Sequence, residues 1–381
     1  MADQSQALQS PFYSKERSMD SLASPNVVVI GGGIVGASIA WHLAPEANVT
    51  IIAQDIGGTA TPNSFAWLNA GSTDDETYYK FRHRSLEHWH EIGDQVPDLA
   101  IHWGASLNWN ASPEELEESE KNLTSWGYDL DRLQQLEIAE REPFIEKRIL
   151  PEWALYYAEE GAIEAHIAAR QLIADAETKG AKLLESKVTG FCKTDGRVSG
   201  VMLPSGEVQA DHVVVAAGVG SVSLLAAENI TLPVSSVAGL LVNSKPTKEK
   251  LLNGVVNAKE LHLRQTLDGT IRSGSEFSGG DPGDDPLKTA HELFGKVQKS
   301  LVGGSKLKFD HYTVGHRPTP EDGLPILGPT GLDGLTVAVM HSGVTNAAIV
   351  GQLLSKQILN GETDPALGYF RLDRFAKRSK I

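Results

Sequence analysis

The stretch Asn26-Val-Val-Val-Ile-Gly-Gly-Gly-Ile-Val-Gly-Ala-Ser38 is the strongest structural signal in this chain of 381 residues. The apolar, β-branched residues 27–30 predict a strand that is buried on both faces. The pattern Gly31-x-Gly33-x-x-Gly36 follows directly, and residues 34–43 predict a helix with small side chains where it packs on a sheet. A second apolar run at residues 49–53 completes a β-α-β unit. We therefore predict an α/β chain with a Rossmann-like domain.

The three glycines of this motif predict a dinucleotide-binding turn. Gly31 permits a tight turn, Gly33 lets the backbone approach a pyrophosphate, and Gly36 lets the helix pack closely on the strand. The first helical residues, Ile34 and Val35, offer N–H groups and the positive end of the helix dipole to the phosphates. A glycine-rich turn without a ligand is the alternative, and the strand and helix that flank the motif make it the weaker interpretation.

The residue that holds the adenosine ribose does not follow the usual pattern. An acidic residue is expected at the end of the second strand. That position falls on Ala53 or Gln54, and the nearest carboxylate is Asp55. The ribose contact is therefore assigned to Gln54 or, with the register shifted by one residue, to Asp55.

Composition restricts the partners and the location of the protein. The formal net charge of −15 argues against nucleic acid and anionic membranes as partners. Cys192 is the only cysteine, which excludes an internal disulfide and fits a reducing compartment, so we predict a cytoplasmic protein. No apolar run has the length of a transmembrane helix, and the histidines lack metal-binding spacing, so we predict no metal. An oligomer is compatible with the sequence.

Nucleotide-type elements recur along the chain. Residues 211–218 read as a second buried strand that ends in small residues, and residues 335–359 run from an apolar strand through a Ser-Gly turn into a helix. This recurrence predicts a discontinuous nucleotide-binding domain with an inserted α+β substrate domain built on an antiparallel sheet. The predicted segments are 26–73, 153–235 and 312–381 for the first domain, 74–152 and 236–311 for the second, and 1–25 for a disordered extension.

Two segments carry more specific predictions of secondary structure. Residues 129–142 are expected to form a helix that ends before Pro143. Residues 182–191, 197–203 and 206–210 are expected to form a β-meander with glycine-containing turns.

Five stretches of the chain also occur, in the same order, in one known family. They are residues 31–36, 63–71, 213–218, 317–328, and 341–345 with the helix that follows. Together they resemble the D-amino-acid oxidase superfamily of FAD-dependent amine and amino-acid oxidoreductases, over residues 26–375. The resemblance implies FAD, bound with its pyrophosphate at residues 31–36. The positions assigned to the FAD site are Gly31, Gly33, Ile34, Val35, Gly36, Gln54, Asp55, Ser64, Val188, Ala217, Gly218, Arg317, Ser342, Gly343, Val344 and Thr345.

The resemblance also implies an activity. It is the oxidation of an amino acid, or of a secondary amine that carries a carboxylate, to an imine by hydride transfer to flavin N5. Arg317 is implied to hold the substrate carboxylate, for which its planar and always charged guanidinium is suited. An ion pair of Arg317 with Glu321 or Asp322 is the alternative.

Two histidines complete the set of candidate catalytic residues. His262 stands where relatives often carry a substrate-binding tyrosine, with Tyr312, Tyr156 and Tyr157 as alternatives. His341 directly precedes the turn that the resemblance places at the pyrimidine end of the flavin.

The mode of flavin attachment follows from the same resemblance, which leaves the electron acceptor open. Val314 and Leu68 occupy the places where some relatives carry a flavin-linking Cys or His, so non-covalent FAD is predicted. The acceptor is oxygen or another acceptor, such as a quinone or a partner protein. Two other functions stay open, namely FAD-dependent oxidation of a 2-hydroxy acid and a non-catalytic FAD-binding subunit of a larger complex.

Overall fold

The computed structural model describes residues 24–275 and 280–378, so the predicted extension lies outside the described residues except for Ser24 and Pro25. The helices are α1 (Ile34–Leu43), α2 (Glu76–Gln95), α3 (Pro113–Ser125), α4 (Gln135–Arg141), α5 (Ala165–Thr178), α6 (Gly220–Ala226), α7 (Pro286–Ser300), α8 (Gly343–Asn360), α9 (Pro365–Tyr369) and α10 (Arg374–Arg378). The strands are β1 (Asn26–Ile30), β2 (Asn48–Ala53), β3 (Trp67–Leu68), β4 (Ile101–His102), β5 (Ser106–Trp109), β6 (Asp131–Gln134), β7 (Trp153–Tyr157), β8 (Gly161–Ile163), β9 (Lys182–Glu185), β10 (Gly190–Thr194), β11 (Arg197–Leu203), β12 (Gly206–Gln209), β13 (His212–Val215), β14 (Val234–Ser244), β15 (Val255–Ala258), β16 (Leu261–Gln265), β17 (Ile271–Gly274), β18 (Phe309–Pro320), β19 (Ile326–Pro329) and β20 (Leu335–Val339). Within these ranges no helix is both long and apolar enough to cross a membrane.

A six-stranded sheet carries the glycine motif. Its strand order is β19-β20-β13-β1-β2-β9, and every neighbouring pair is parallel except β19 with β20. Val27 and Val29 of β1 belong to the core that includes α1, α5 and α8, whereas Val28 and Ile30 pack with β11 on the opposite face. The strand is therefore buried on both faces, as its uninterrupted apolar run predicts.

An eight-stranded sheet forms the second large sheet of the fold. Its order is β18-β14-β17-β16-β15-β5-β7-β6, and all its pairs are antiparallel except β15 with β5. The predicted α/β class, with a Rossmann-like domain and a largely antiparallel second sheet, is confirmed. Strands β7 and β18 pair in this sheet although their segments were assigned to the nucleotide-binding domain. We therefore propose domain boundaries that place both strands in the substrate domain.

Two local predictions differ from the structure. Residues 129–142 contain strand β6 before the short helix α4, because residues 131–134 pair with β7. Tertiary pairing overrides the helical pattern there. Residues 182–191 divide between two sheets, since β9 pairs in parallel with β2 whereas β10 begins the meander at Gly190.

Candidate functional site

The glycine motif forms a turn that only glycine can adopt. Gly31 has a φ of 118°, and a Cβ atom there would lie 2.4 Å from the Ala216 carbonyl oxygen. At Gly36 a Cβ atom would lie 2.0 Å from the Gly31 carbonyl oxygen. The turn leads into α1, whose N-cap residue is Gly33, so no N-cap side chain accepts a hydrogen bond from the first N–H groups of the helix. The N-terminal N–H groups of α1 therefore face the turn, where the Ile34 N–H donates to Thr61 Oγ1 at 3.2 Å.

A cavity of about 730 Å³ extends from this turn to the N-terminus of α8. It opens at the carboxyl ends of β1, β2 and β13, the edge where ligands bind in open parallel sheets. Most of the residues that the sequence assigned to a cofactor site line this one cavity. They are Gly31, Gly33, Ile34, Val35, Gln54, Asp55, Ser64, Val188, Ala217, Gly218, Arg317, Gly343 and Val344. Gly36 instead permits the close contact between helix and turn.

A small chamber of about 70 Å³ adjoins the large cavity. Arg317 and His341 line both spaces, and His262, Ser342 and Thr345 line the chamber alone. The three candidate catalytic residues thus come together at one place, although they lie on β18, on β16 and between β20 and α8. Their roles stay predictions.

Arg317 presents a buried guanidinium to both spaces. Its side chain is 8% exposed, and its Nη1 atom has no hydrogen-bond partner among the described residues. Burial lowers the pKa of Arg317 to about 10, which leaves it charged at neutral pH. The alternative ion pair is not found, because Asp322 binds Arg374 at 2.9 Å and no described carboxylate pairs with Arg317. A buried cation without an anion is suited to a carboxylate ligand.

His262 and His341 are neutral groups in this site. Burial, with the nearby charge of Arg317 as the second cause, lowers the pKa of His262 to about 3. Burial and then Arg317 lower the pKa of His341 to about 4. The His262 ring contacts Phe65 edge-on, with 4.2 Å between ring centroids, and its buried Nε2 atom has no hydrogen-bond partner among the described residues. The residue lines the chamber, and its Nε2 atom lies against Gly274, where a Cβ atom would be only 2.6 Å away.

Three side chains hold the loop at residues 65–71, which forms one wall of the chamber. Arg264 Nε donates to the Phe65 carbonyl oxygen at 2.6 Å, and Thr345 Oγ1 donates to the Trp67 carbonyl oxygen at 3.0 Å. A Glu160 oxygen accepts from the N–H groups of Ala70 and Gly71 at 2.9 and 3.1 Å. The loop between β2 and α2 is therefore held from β16, α8 and the turn after β7.

The N-terminus of α8 also faces the site. Gly343 and Val344 line the large cavity, and no acidic residue lies in the first turn. The positive end of this 18-residue helix is therefore directed at the same space as the turn before α1.

Comparison with known proteins agrees with this geometry. The model of the FAD dependent oxidoreductase family matches residues 26–357. The chain belongs to this family. The predicted cofactor, FAD, is thereby confirmed, and the protein is an enzyme of the FAD-dependent oxidoreductase class.

Individual relatives and solved structures match nearly the whole of this chain. Glycine oxidase of Bacillus subtilis (strain 168) is 27% identical over 368 residues, which cover 91% of this chain and 96% of the relative. The bifunctional protein ThiO/ThiG of Trichormus variabilis is 27% identical over 93% of this chain, which spans 56% of that relative. The structure of L-proline dehydrogenase from P. horikoshii superposes with a TM-score of 0.83 at 23% identity, covering 93% and 98% of the two chains, and shares the fold.

The cavity of this FAD-dependent oxidoreductase fits a dinucleotide. The glycine turn presents backbone without side chains to the cavity, and Lys187 adds a cation to the lining. Sequence analysis missed Lys187 and Thr61, since neither belongs to a recognisable pattern. It also missed Arg264, although the alternation in β16 places Arg264 on the same face as His262. Among the described residues, no group of His, Cys, Asp and Glu is arranged to hold a metal ion.

Proposed function

We propose that the protein oxidises an amino acid, or another small amine that carries a carboxylate, at the carbon bonded to nitrogen. The observation that carries this proposal is the buried, positively charged Arg317, which lacks an anionic partner among the described residues and opens onto the chamber. Relatives named glycine oxidase support the same class of substrate.

Each residue of the chamber has a defined task in this proposal. Arg317 binds the substrate carboxylate through two N–H groups, which orients the substrate. His262, which lines the chamber, forms a hydrogen bond with the substrate nitrogen. The charge of Arg317 lowers the pKa of an ammonium group bound nearby, so the reactive neutral amine forms more readily. FAD, when bound, supplies the two-electron acceptor.

The proposal makes a prediction about pH. Both histidines are neutral above about pH 5, because their pKa values are lowered to about 3 and about 4. The rate of anaerobic flavin reduction should therefore rise with pH only as the substrate ammonium group loses its proton. His262→Asn should lower this rate by about tenfold, the loss of one hydrogen bond, without moving the midpoint of the profile. A midpoint displaced in the variant would show that His262 itself titrates.

The attachment of FAD can be tested separately. Cys192 lies on β10 in the small meander, away from the cavity lining. We expect FAD to be bound non-covalently, so acid precipitation of the holoenzyme should release all yellow colour into the supernatant. Flavin that stays with the precipitated protein would contradict this expectation, and peptide mapping would identify its attachment site.

Product analysis tests the reaction class. The holoenzyme is incubated with glycine, sarcosine, both alanine enantiomers, proline, glycolate and lactate, each with an artificial electron acceptor. The proposal predicts a 2-oxo acid together with ammonia or a primary amine, or a cyclic imine from proline. A 2-oxo acid formed from glycolate or lactate, with no reaction of any amine, would establish the hydroxy-acid activity instead.

A further inference from the structure

A further buried guanidinium lies beside the chamber and has no task in the reaction described above. It belongs to Arg82 of α2, whose side chain is 1% exposed. Arg82 Nε donates to the Asn69 carbonyl oxygen at 3.1 Å, and Arg82 Nη1 donates to Ser342 Oγ at 3.4 Å. Its Nη2 atom donates to Asn69 Oδ1. All three acceptors are neutral.

The charge of Arg82 is not balanced by an ion pair. Within residues 24–275 and 280–378 no carboxylate lies at ion-pair distance from it, whereas the buried Arg264 binds Glu164 at 2.6 Å. The buried Glu160 directs its oxygens to the N–H groups of Ala70 and Gly71 and to two hydroxyls, and burial raises the pKa of Glu160. Buried charges ordinarily have an opposite charge close by. The charge of Arg82 is the smallest of the causes that lower the pKa of Glu160, which burial raises overall, so the two groups interact at longer range without forming an ion pair. No negative charge therefore contacts the Arg82 guanidinium directly.

The position of Arg82 indicates where that charge would be. Its partners Asn69 and Ser342 both line the chamber, and Ser342 is the N-cap residue of α8. Arg82 also contributes, after burial and Arg317, to lowering the pKa of His341 on the chamber wall. Its electrostatic field thus reaches the space in front of α8 and adds to the positive end of that helix.

We propose that Arg82 is a positioning residue that orders Asn69 and Ser342 and stabilises the negative charge that FAD acquires on reduction, which raises the reduction potential of the bound flavin. The inference rests on the expectation from the family resemblance that the pyrimidine end of the flavin lies at the turn after His341. It does not depend on which substrate is oxidised.

The test compares three variants of the holoenzyme without any amine substrate. Arg82→Met removes the charge, Arg82→Lys keeps it, and Arg84→Met removes a half-exposed arginine of the same helix that binds Asp364 at 2.9 Å. Sulfite is the probe, because its addition to oxidised flavin leaves a negative charge on the ring system. The reduction potential is measured in parallel by anaerobic equilibration with reference dyes.

We expect Arg82→Met to weaken sulfite binding by about tenfold or more and to lower the two-electron reduction potential by about 30 mV or more. Its affinity for oxidised FAD should stay close to that of the wild type. Arg82→Lys and Arg84→Met should resemble the wild type in both measurements. Unchanged sulfite binding and potential in Arg82→Met would overturn the proposal.

A second neutral variant keeps the test informative if Arg82→Met misfolds. Arg82→Gln can still donate to Asn69, so it replaces Arg82→Met if that variant does not retain FAD. If neither neutral variant retains FAD, Arg82 has a structural role and the proposal fails. Because sulfite and dyes replace the amine, these outcomes are independent of the substrate proposed above.

Discussion

Arg317→Met is expected to lower kcat/KM for a carboxylate-bearing amine by about 10²- to 10⁴-fold. Removing one partner of a buried, hydrogen-bonded charge pair costs about 3–5 kcal/mol, which corresponds to this range. The unbranched methionine fills much of the space left by the arginine stem, so the loss reports the guanidinium. The measurement is the rate of anaerobic flavin reduction as a function of substrate concentration.

The control for this prediction is a substrate without the carboxylate. Methylamine and dimethylamine correspond to glycine and sarcosine with the carboxylate removed. We expect Arg317→Met to react with each amine at about the wild-type rate, since the contact it removes is absent from both reactions. Arg317→Lys should lie between the wild type and the methionine variant, because its ammonium group keeps the charge but cannot form the bidentate contact. An equal loss of activity toward both members of a pair would contradict the role of Arg317 in binding the substrate carboxylate.

Gly36→Ala is expected to abolish the retention of FAD during purification. The added Cβ would lie 2.0 Å from the backbone oxygen of Gly31, which cannot move without displacing the turn. Overpacking of this kind costs about 1–3 kcal/mol or more. The dissociation constant of FAD, measured by quenching of flavin fluorescence, should therefore rise by about tenfold at the least.

A matched control exists on a different helix. Gly93 is a helical glycine of α2, and a Cβ atom there would meet nothing within 4 Å. Gly93→Ala should leave FAD binding unchanged and raise the free energy of unfolding by up to about 1 kcal/mol. If Gly36→Ala binds FAD as tightly as Gly93→Ala does, the close contact between α1 and the turn is not required for FAD binding, and the prediction is wrong.

The parts of the fold that were predictable are those with strong local patterns. Strand β1, the glycine turn and α1 follow from the continuous apolar run and the glycine spacing. Strand β6 was not predictable, because its residues read as helical and become a strand only by pairing with β7. Helix α3 was overlooked although Ser112 and Glu115 form a capping box that is visible in the sequence.

The residues of the candidate site were likewise predictable only in part. The family motif led to Arg317, and the buried guanidinium is consistent with the role assigned to it. Arg82 was overlooked even though the spacing of Tyr78, Arg82, Ser85 and Trp89 places it on the buried face of α2. Whether a buried cation has an anionic partner depends on residues that are distant in sequence, so the sequence alone does not show that Arg82 lacks one.

The central claim is that FAD bound in this cavity oxidises amines held by their carboxylate. The direct test is the visible absorbance of the purified holoenzyme, recorded anaerobically before and after addition of each member of the glycine–methylamine and sarcosine–dimethylamine pairs. We predict that at least one carboxylate-bearing member bleaches the flavin band at least about 100-fold faster than its partner. Equal bleaching by both members of every pair, or a flavin band that no amine bleaches, would contradict the account.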